Sequence, residues 1–336
     1  MIYDNVMYHN VEEIEKTPLG YKIFRYPLNI SNNLNDIAKL ISRYSCGCEM
    51  RFVTDSNKVS ISLLGKEGGE NGGDIFVFKG DYFYSSYKIH EGKITTLMLE
   101  EPQKIKEVGD SFFEDNLFSN SVWRIYFSNT IIEVLDIDTF GGNIRPPKKS
   151  ELPKYTILSY GSSISHGSNT VANTSTYVNT FARLIRADAL RKGLGGSCHA
   201  EGIIADYFAE NMKWDCALLE IGINMISRYD AEDFKTRFEY FAEKICGTGK
   251  KVIFLTIPKY FGYYTDTELK TKVIRFNEII ANKSMEFDNK QVKLVSGTDI
   301  IKNTAYLSSD CLHPSTEGHI DMGYNLYDAV KEWIKI

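Results

Sequence analysis

A serine follows a strand-length apolar segment, at a point where a reactive side chain could be exposed. Residues 155–162 read Tyr-Thr-Ile-Leu-Ser-Tyr-Gly-Ser, and Ser163 comes next within a run of small residues. The apolar part predicts a β-strand, and the small residues predict a tight turn at its carboxyl end. In open α/β sheets, the carboxyl ends of strands and the amino ends of the following helices meet at one edge. A serine there could serve as a nucleophile, although Gly/Ser-rich turns more often only connect elements.

A candidate general base lies 150 residues downstream, in the segment Ser308-Ser-Asp-Cys-Leu-His-Pro-Ser. Asp310 and His313 are three residues apart in this segment, just before the last predicted helix. In a turn, the carboxylate could bind one imidazole nitrogen while the other nitrogen faces a serine. It would then fix the tautomer of the imidazole and stabilise the imidazolium that forms when the serine loses its proton. The alternative is that Asp310 only caps a turn and that His313 is an exposed loop residue.

Two further segments could supply hydrogen-bond donors beside the same turn. Gly196 lies in Gly193-Leu-Gly-Gly-Ser, and Asn224 lies in Glu220-Ile-Gly-Ile-Asn-Met. Each segment follows a predicted strand, so both would lie at the edge that carries Ser163. The backbone N–H groups of Ser163 and Gly196, with the Asn224 amide, would form an oxyanion hole. Taken alone, each segment could equally be a glycine-rich loop or a turn asparagine.

Three other polar residues fall near this predicted edge. His166 could be an alternative base, but a helix or turn leading away from the site would carry it, which favours a packing role. His199 and Glu201 could line a pocket, and no role is assigned to them.

Residues 155–336 alternate between strand and helix patterns. The predicted strands are Tyr155–Tyr160, Ala187–Arg191, Cys216–Ile221, Lys251–Ile257 and Gln291–Val295. The predicted helices are Ser175–Arg186, Gly202–Met212, Ala231–Cys246, Thr267–Phe287 and Glu317–Ile334. Five strands with intervening helices predict a parallel sheet covered on both faces, with right-handed crossovers.

The first 140 residues contain short strand patterns and little helical periodicity. The predicted strands are Tyr21–Arg25, Glu49–Thr54, Val59–Leu64, Asp74–Lys79, Tyr82–Ile89, Lys93–Leu99, Trp123–Phe127 and Ile131–Asp136. Short turns between them and the lack of crossover helices predict an antiparallel β-sandwich, and Asn35–Leu40 is expected to be a helical turn or a loop. A Gly/Pro-rich stretch at 141–153 predicts the domain boundary, which gives domains 1–145 and 146–336.

Composition narrows the function classes. The 336-residue chain has a net charge of −5, and its pI of about 5.8 offers no basic surface for nucleic acid. No run of about 18 apolar residues is present, so we expect no membrane-spanning helix. No secretory signal is visible, so we expect a cytoplasmic protein whose six cysteines are reduced and mostly buried. No metal or cofactor motif is found, and the oligomeric state, including a homo-oligomer, is left open.

Together, the four segments resemble the conserved blocks of the SGNH (GDSL-type) hydrolases. Gly161-Ser-Ser-Ile-Ser-His-Gly resembles the first block, Gly196 the second, Gly222-Ile-Asn the third and Asp310-Cys-Leu-His the fifth. The resemblance spans residues 154–334. It implies that Ser163 is the nucleophile, His313 the base and Asp310 its orienting residue, with Ser163, Gly196 and Asn224 as the oxyanion hole. It also implies a flavodoxin-like three-layer α/β/α fold without a bound nucleotide or metal.

Two positions depart from the pattern of the family. Ser162 stands where the first block usually has an aspartate, and Met225 stands where an aspartate usually follows the third-block asparagine. Neither is the nucleophile, the base or an oxyanion donor, so the implied chemistry is retained, while the rigidity of the turn could differ.

The N-terminal part adds to the resemblance. Residues 43–56 and 72–78 resemble the jelly-roll-like β-sandwich that precedes the SGNH domain in some bacterial esterases. This layout is similar to that of carbohydrate esterase family 2, whose members remove acetyl groups from sugars. The resemblance therefore implies a serine esterase acting on small O-acyl, above all O-acetyl, esters of carbohydrates. The alternatives are a lipase- or thioesterase-type hydrolase of the same fold and a non-catalytic glycan-binding protein.

Overall fold

The computed structural model describes residues 1–66, 73–265 and 268–335, which form two compact units. The first unit comprises residues 1–28 and 42–154, and the second comprises residues 29–41 and 155 onward. This division differs from a boundary at 145/146 in two ways. Residues 146–154 cluster with the first unit, and the segment 29–41 clusters with the second.

The first unit is built from antiparallel strands. They are β1 (Ile2–Tyr3), β2 (Val6–His9), β3 (Glu13–Lys16), β4 (Tyr21–Phe24), β5 (Glu49–Thr54), β6 (Lys58–Lys66), β7 (Gly73–Lys79), β8 (Tyr82–Ile89), β9 (Ile94–Glu100), β10 (Trp123–Phe127), β11 (Ile131–Asp138) and β12 (Ile144–Arg145). Three short helices occur along residues 1–154, namely α1 (Leu28–Ser31), α2 (Asp36–Ile41) and α3 (Gln103–Glu107). One sheet has the order β1-β2-β5-β10-β7-β8, with β12 also paired to β5, and the other has the order β3-β4-β11-β6-β9.

Alternating burial explains why the two sheets form a sandwich. Along β6, Val59, Ile61 and Leu63 are buried while the residues between them are partly exposed. These side chains share one apolar core with residues of the other sheet, including Phe52 and Ile125. All eight predicted strands are present, which confirms the expected sandwich. Four short strands were not predicted, namely β1, β2, β3 and β12.

The second unit alternates strand and helix, as predicted. Its strands are β13 (Tyr155–Gly161), β14 (Ala187–Arg191), β15 (Cys216–Glu220), β16 (Lys251–Leu255) and β17 (Val292–Val295). Its further helices are α4 (Ser163–His166), α5 (Tyr177–Leu184), α6 (Gly202–Glu210), α7 (Ala231–Cys246), α8 (Glu268–Ser284), α9 (Gly297–Ile300) and α10 (Thr316–Val330). The start predicted for the fourth helix, Thr267, lies outside the described residues.

The five strands are parallel and have the order β14-β13-β15-β16-β17. This is the flavodoxin-like order, so the expected fold class is confirmed. One face of the sheet packs on α5 and α10 through an aliphatic cluster that includes Ile157, Leu218 and Leu326. On the other face, the ring of Tyr160 stacks on Phe241 of α7 with centroids 4.8 Å apart. Because all five strands run the same way, the loops after them gather at one edge of the sheet.

Some features hold for all described residues. The six cysteines are free thiols, five of them buried and Cys311 exposed. Within the described ranges, no helix is long and apolar enough to cross a membrane. The same residues contain no group of three or more His, Cys, Asp or Glu side chains that could hold a metal ion.

Candidate active site

Ser163 stands at the start of a one-turn helix that follows directly on β13. Ser162 caps this helix, because its backbone is extended and its Oγ accepts a hydrogen bond from the N–H of Ile164 at 3.1 Å. As the first helical residue, Ser163 has a backbone N–H without a partner inside the helix. The helix ends at Gly167, whose φ of +93° is in the left-handed region. The serine therefore lies on a tight turn at the carboxyl end of a strand, as predicted.

His313 joins this serine to Asp310. The Oγ of Ser163 lies 2.7 Å from Nε2 of His313, and Nδ1 of His313 lies 2.7 Å from Oδ2 of Asp310. Since the carboxylate can only accept when ionised, Nδ1 carries the imidazole proton and Nε2 can accept the serine proton. The exposed fraction is 19% for the side chain of His313 and 42% for that of Asp310. Residues 150 positions apart in the sequence thus form one continuous chain of hydrogen bonds.

The two oxygens of Asp310 have different partners. Oδ1 accepts the backbone N–H groups of Leu312 and His313, each at 3.0 Å, which closes the loop as a turn cap does. Oδ2 binds His313 and also accepts from Nδ2 of Asn169 at 3.1 Å. Partial burial alone would raise the pKa of Asp310, but the hydrogen bonds from His313 and Leu312 lower this pKa to about 2. Asp310 is therefore both a turn cap and the hydrogen-bond partner of His313.

Asn169 was not identified from the sequence. Its φ of +65° lies in the left-handed region, which asparagine adopts more readily than most residues. In the sequence it appears only as one more small polar residue after the first block, and its partner is 141 positions away.

The predicted oxyanion donors lie in loops that contact Ser163 or each other. An ideal Cβ on Gly195 would stand 3.7 Å from Cα and Cβ of Ser163, so this loop packs on the backbone of the serine. Gly196 has a φ of +67°, and no described atom lies within 4 Å of its ideal Cβ position, so the space beside it is open. Oδ1 of Asn224 accepts the N–H of Cys198 at 3.2 Å, and Nδ2 is the donor group of the same amide. The assignment of these groups to an oxyanion hole stays a prediction.

Glu220, the last residue of β15, is a second carboxylate at the turn that carries Ser163. Its Oε2 accepts the N–H and the Oγ–H of Ser162 at 2.9 and 2.7 Å, and the Oγ–H of Ser165 at 3.1 Å. Burial raises the pKa of Glu220 to about 7, although the hydrogen bonds from Ser162 and Ser165 oppose this rise. No role was predicted for Glu220 from the sequence. The available signal was a single carboxylate in the otherwise apolar strand Cys216-Ala-Leu-Leu-Glu.

The other polar residues named from the sequence are tied into the framework. His166 is 3% exposed and its Nδ1 lies 3.0 Å from the carbonyl oxygen of Gly193, which fits a packing role. Nδ2 of Asn35, in the segment 29–41, donates to Oε1 of Glu201 at 2.6 Å and lies 3.3 Å from Nδ1 of His199. His199 and Glu201 therefore anchor a segment that comes from the N-terminal part of the chain.

Comparisons with known proteins agree on the fold. No protein-family model matches the sequence, and no curated protein matches it. A salicylyl-acyltransferase from a tetracycline biosynthetic pathway superposes with a TM-score of 0.81 at 13% identity, over 98% of this chain and 95% of that one. A protein assigned as a GDSL-like lipase from Bacteroides ovatus gives a TM-score of 0.70 at 16% identity, over 99% of both chains. A family two carbohydrate esterase from Cellvibrio japonicus gives a TM-score of 0.60 at 13% identity, over 97% of this chain and 98% of that one.

These likenesses extend over both units and not only over the α/β unit. At such low identity they establish the fold alone. The chain therefore has a flavodoxin-like α/β/α unit preceded by a β-sandwich, the fold that its resemblance to the SGNH hydrolases implied.

Proposed function

We propose that this protein is a serine esterase that hydrolyses small O-acyl, above all O-acetyl, esters of carbohydrates. The observation that carries the proposal is the hydrogen-bonded chain from Asp310 through His313 to Ser163, with 2.7 Å at both links. A serine, a histidine and a carboxylate in this order are the groups that activate a hydroxyl for attack on an ester carbonyl.

Acylation begins at Ser163. Nε2 of His313 takes the hydroxyl proton as Oγ attacks the ester carbonyl carbon, and the carbonyl oxygen becomes an oxyanion. Asp310 stays ionised, since its pKa is about 2, and stabilises the imidazolium. The N–H groups of Ser163 and Gly196 and Nδ2 of Asn224 are the proposed donors to the oxyanion.

The tetrahedral intermediate then collapses. His313 returns its proton to the leaving alcohol oxygen, the bond between that oxygen and the carbonyl carbon breaks, and Ser163 carries the acyl group as an ester. Water attacks this acyl-enzyme while His313 again takes a proton, and the second collapse releases the carboxylic acid and restores the serine hydroxyl.

The substrate part of the proposal rests on layout. The Cellvibrio japonicus protein, a family two carbohydrate esterase, has the same two-part fold over nearly its full length. The open space beside Gly196 is compatible with a substrate that enters next to the proposed oxyanion donors.

The first test is hydrolysis of 4-nitrophenyl acetate and covalent labelling by a fluorophosphonate. Ser163→Ala should abolish labelling and should reduce kcat by about 10⁴-fold or more, because the nucleophile is lost. His313→Ala should reduce kcat to a similar extent. An unlabelled, inactive but correctly folded wild-type protein would refute the proposal, and tight glycan binding that survives Ser163→Ala would then favour the glycan-binding alternative.

The second test concerns the substrate. Across 4-nitrophenyl esters from acetyl to octanoyl, kcat/KM should be highest for acetyl, and acetylated xylo-oligosaccharides should release acetate. A maximum at long chains would instead favour the lipase or thioesterase alternative, which needs a deep apolar groove. Adding an alcohol acceptor would reveal acyl transfer as a new ester product, the reaction class named for the tetracycline-pathway protein.

A further inference from the structure

The turn that carries Ser163 is held by a carboxylate from a different strand. We infer that Glu220 is a positioning residue for the nucleophile. It holds the turn from β15, whereas the family that this chain resembles has an aspartate within the turn itself, at the position of Ser162. This inference rests on the proposed function, because it assigns Glu220 a part in the reaction of Ser163.

The contacts of Glu220 fix the backbone on both sides of the nucleophile. Its Oε2 accepts the N–H and the Oγ–H of Ser162, the residue before Ser163. The same Ser162 hydroxyl accepts the N–H of Ile164, the residue after Ser163. Oε2 therefore holds Ser162 directly and Ile164 through the Ser162 hydroxyl, so that both neighbours of the nucleophile are fixed. Ser165, one turn further, donates to the same oxygen.

The packing around this carboxylate leaves it little room. Gly161 pairs with Glu220 in the register of β13 and β15. An ideal Cβ at residue 161 would stand 2.7 Å from Oε2 of Glu220 and 2.5 Å from Oγ of Ser165. Only glycine at this position lets the carboxylate lie directly against the turn.

Two titratable groups lie near Glu220, and a buried arginine lies near one of them. Tyr177 of α5 shares a hydrogen bond with Ser165, and burial followed by the charge of Glu220 raises the pKa of this tyrosine. Cys198, in the loop after β14, likewise has a raised pKa, because it is buried and then because Glu220 is near. Both groups are neutral at neutral pH. Arg191 of β14 interacts with Tyr177 and hydrogen-bonds to Asn173 and to the carbonyl oxygen of His166.

The ionised form of Glu220 is the one that holds the turn. A carboxylate can accept all three hydrogen bonds on Oε2, whereas a carboxylic acid is a weaker acceptor. Burial raises the pKa of Glu220 to about 7, so this form is lost as the pH falls through neutrality. Activity should therefore fall on the acid side as Glu220 becomes protonated.

The test is the pH profile of Glu220→Gln. Its kcat should fall about 10- to 100-fold with KM within twofold of the wild-type value, because the nucleophile is misplaced and binding groups are kept. The ratio of wild-type to variant kcat/KM should be largest above pH 7 and should decrease as the pH falls below 7, because protonated Glu220 is neutral like the amide of the variant. Glu133→Gln, which changes another buried carboxylate in the first unit, is the matched control and should give a ratio that does not change over this pH range.

A paired variant adds an independent test. Ser162→Asp alone should lower kcat, because two carboxylates would then lie within contact distance. Ser162→Asp combined with Glu220→Gln places a single carboxylate within the turn and should give a higher kcat than either single variant. Such recovery is not expected if the single variants only disturb folding.

The outcomes separate this inference from the proposed function. If the fluorophosphonate labels wild-type Ser163, the nucleophile is established whatever Glu220 does, and the labelling rate of Glu220→Gln should be reduced in parallel with kcat. A folded Glu220→Gln protein with the wild-type kcat would overturn the inference. A loss of kcat that is the same at every pH and that Ser162→Asp does not restore would also overturn it.

Discussion

The exposed loop 308–313 and the buried end of β15 each hold a carboxylate that hydrogen bonds link to Ser163 or to its turn, in opposite environments. Asp310 accepts four hydrogen bonds while 42% of its side chain is exposed, and its pKa is about 2. Glu220 accepts three hydrogen bonds at 2% exposure, and burial raises its pKa to about 7. Hydrogen bonds lower the pKa of both carboxylates, so the deeper burial of Glu220 accounts for its higher pKa. A carboxylate that must stay charged next to an imidazolium is thus placed where water still reaches it.

The largest effect should come from the exposed carboxylate. Asp310→Asn should reduce kcat by about 10³- to 10⁴-fold with little change in KM, because an amide does not fix the productive tautomer of His313 or stabilise the imidazolium. Stopped assays with 4-nitrophenyl acetate measure the change, and Asp299→Asn on α9 is an exposed control. A loss below tenfold would show that the loop orients His313 without the carboxylate.

The packing around the buried carboxylate should give the next largest effect. Gly161→Ala should reduce the free energy of unfolding by about 1–3 kcal/mol, because the new Cβ would meet Glu220 and Ser165 in a packed interior. Gly109→Ala is the control, since Gly109 has a φ of −74° and open space around it. Chemical denaturation measures both variants. Equal stability of the two would mean that the turn relaxes and that Glu220 is not closely confined.

The stability of Glu220→Gln should depend on pH. The folded-state pKa of Glu220 lies above its ordinary value of 4.5, so ionisation is harder in the folded protein. The contribution of Glu220 to wild-type stability should therefore fall as the pH rises from 4.5 to about 7 and then level off. Relative to the wild type, Glu220→Gln should gain on the order of 1–3 kcal/mol across this window while losing activity. Thermal unfolding from pH 4 to 9 tests this, and a constant difference would contradict it.

The smallest effect should come from the partner of Asp310. Asn169→Ala removes one of the four hydrogen bonds to the partly exposed carboxylate of Asp310. The loss of this bond should cost about 1 kcal/mol, which corresponds to a decrease of about fivefold in kcat. KM should not change. A loss as large as that of Asp310→Asn would show that Asn169 sets the position of the whole loop.

Local patterns in the sequence account for the parts of the fold that were predicted. The apolar run before Ser163, the Asp310–His313 spacing and the helical period of α7 are all readable within a few residues. The partners of Ser162 and Asn169 could not be read in this way. They lie 58 and 141 positions away, and only the order of the parallel strands and the folding of the loops bring them together.

The segment 29–41 was missed for the same reason. Asp36–Ile41 is a helix, within the stretch where a helical turn or a loop was expected, but nothing local indicates that Asn35 would bond to Glu201. Short strands such as β1 and β12 were missed because two residues hold no periodicity.

Segment 29–41 also means that no uninterrupted piece of the gene encodes the second unit alone. Residues 42–154 are synthesised after Asn35 and before β13. The sandwich can therefore fold before the residues that bind segment 29–41 have been synthesised. An expression fragment that starts at residue 146 would lack Asn35 and would leave the carboxylate of Glu201 without its hydrogen bond at 2.6 Å. Fragment design and domain exchange in this architecture therefore have to carry the N-terminal segment along with the C-terminal half.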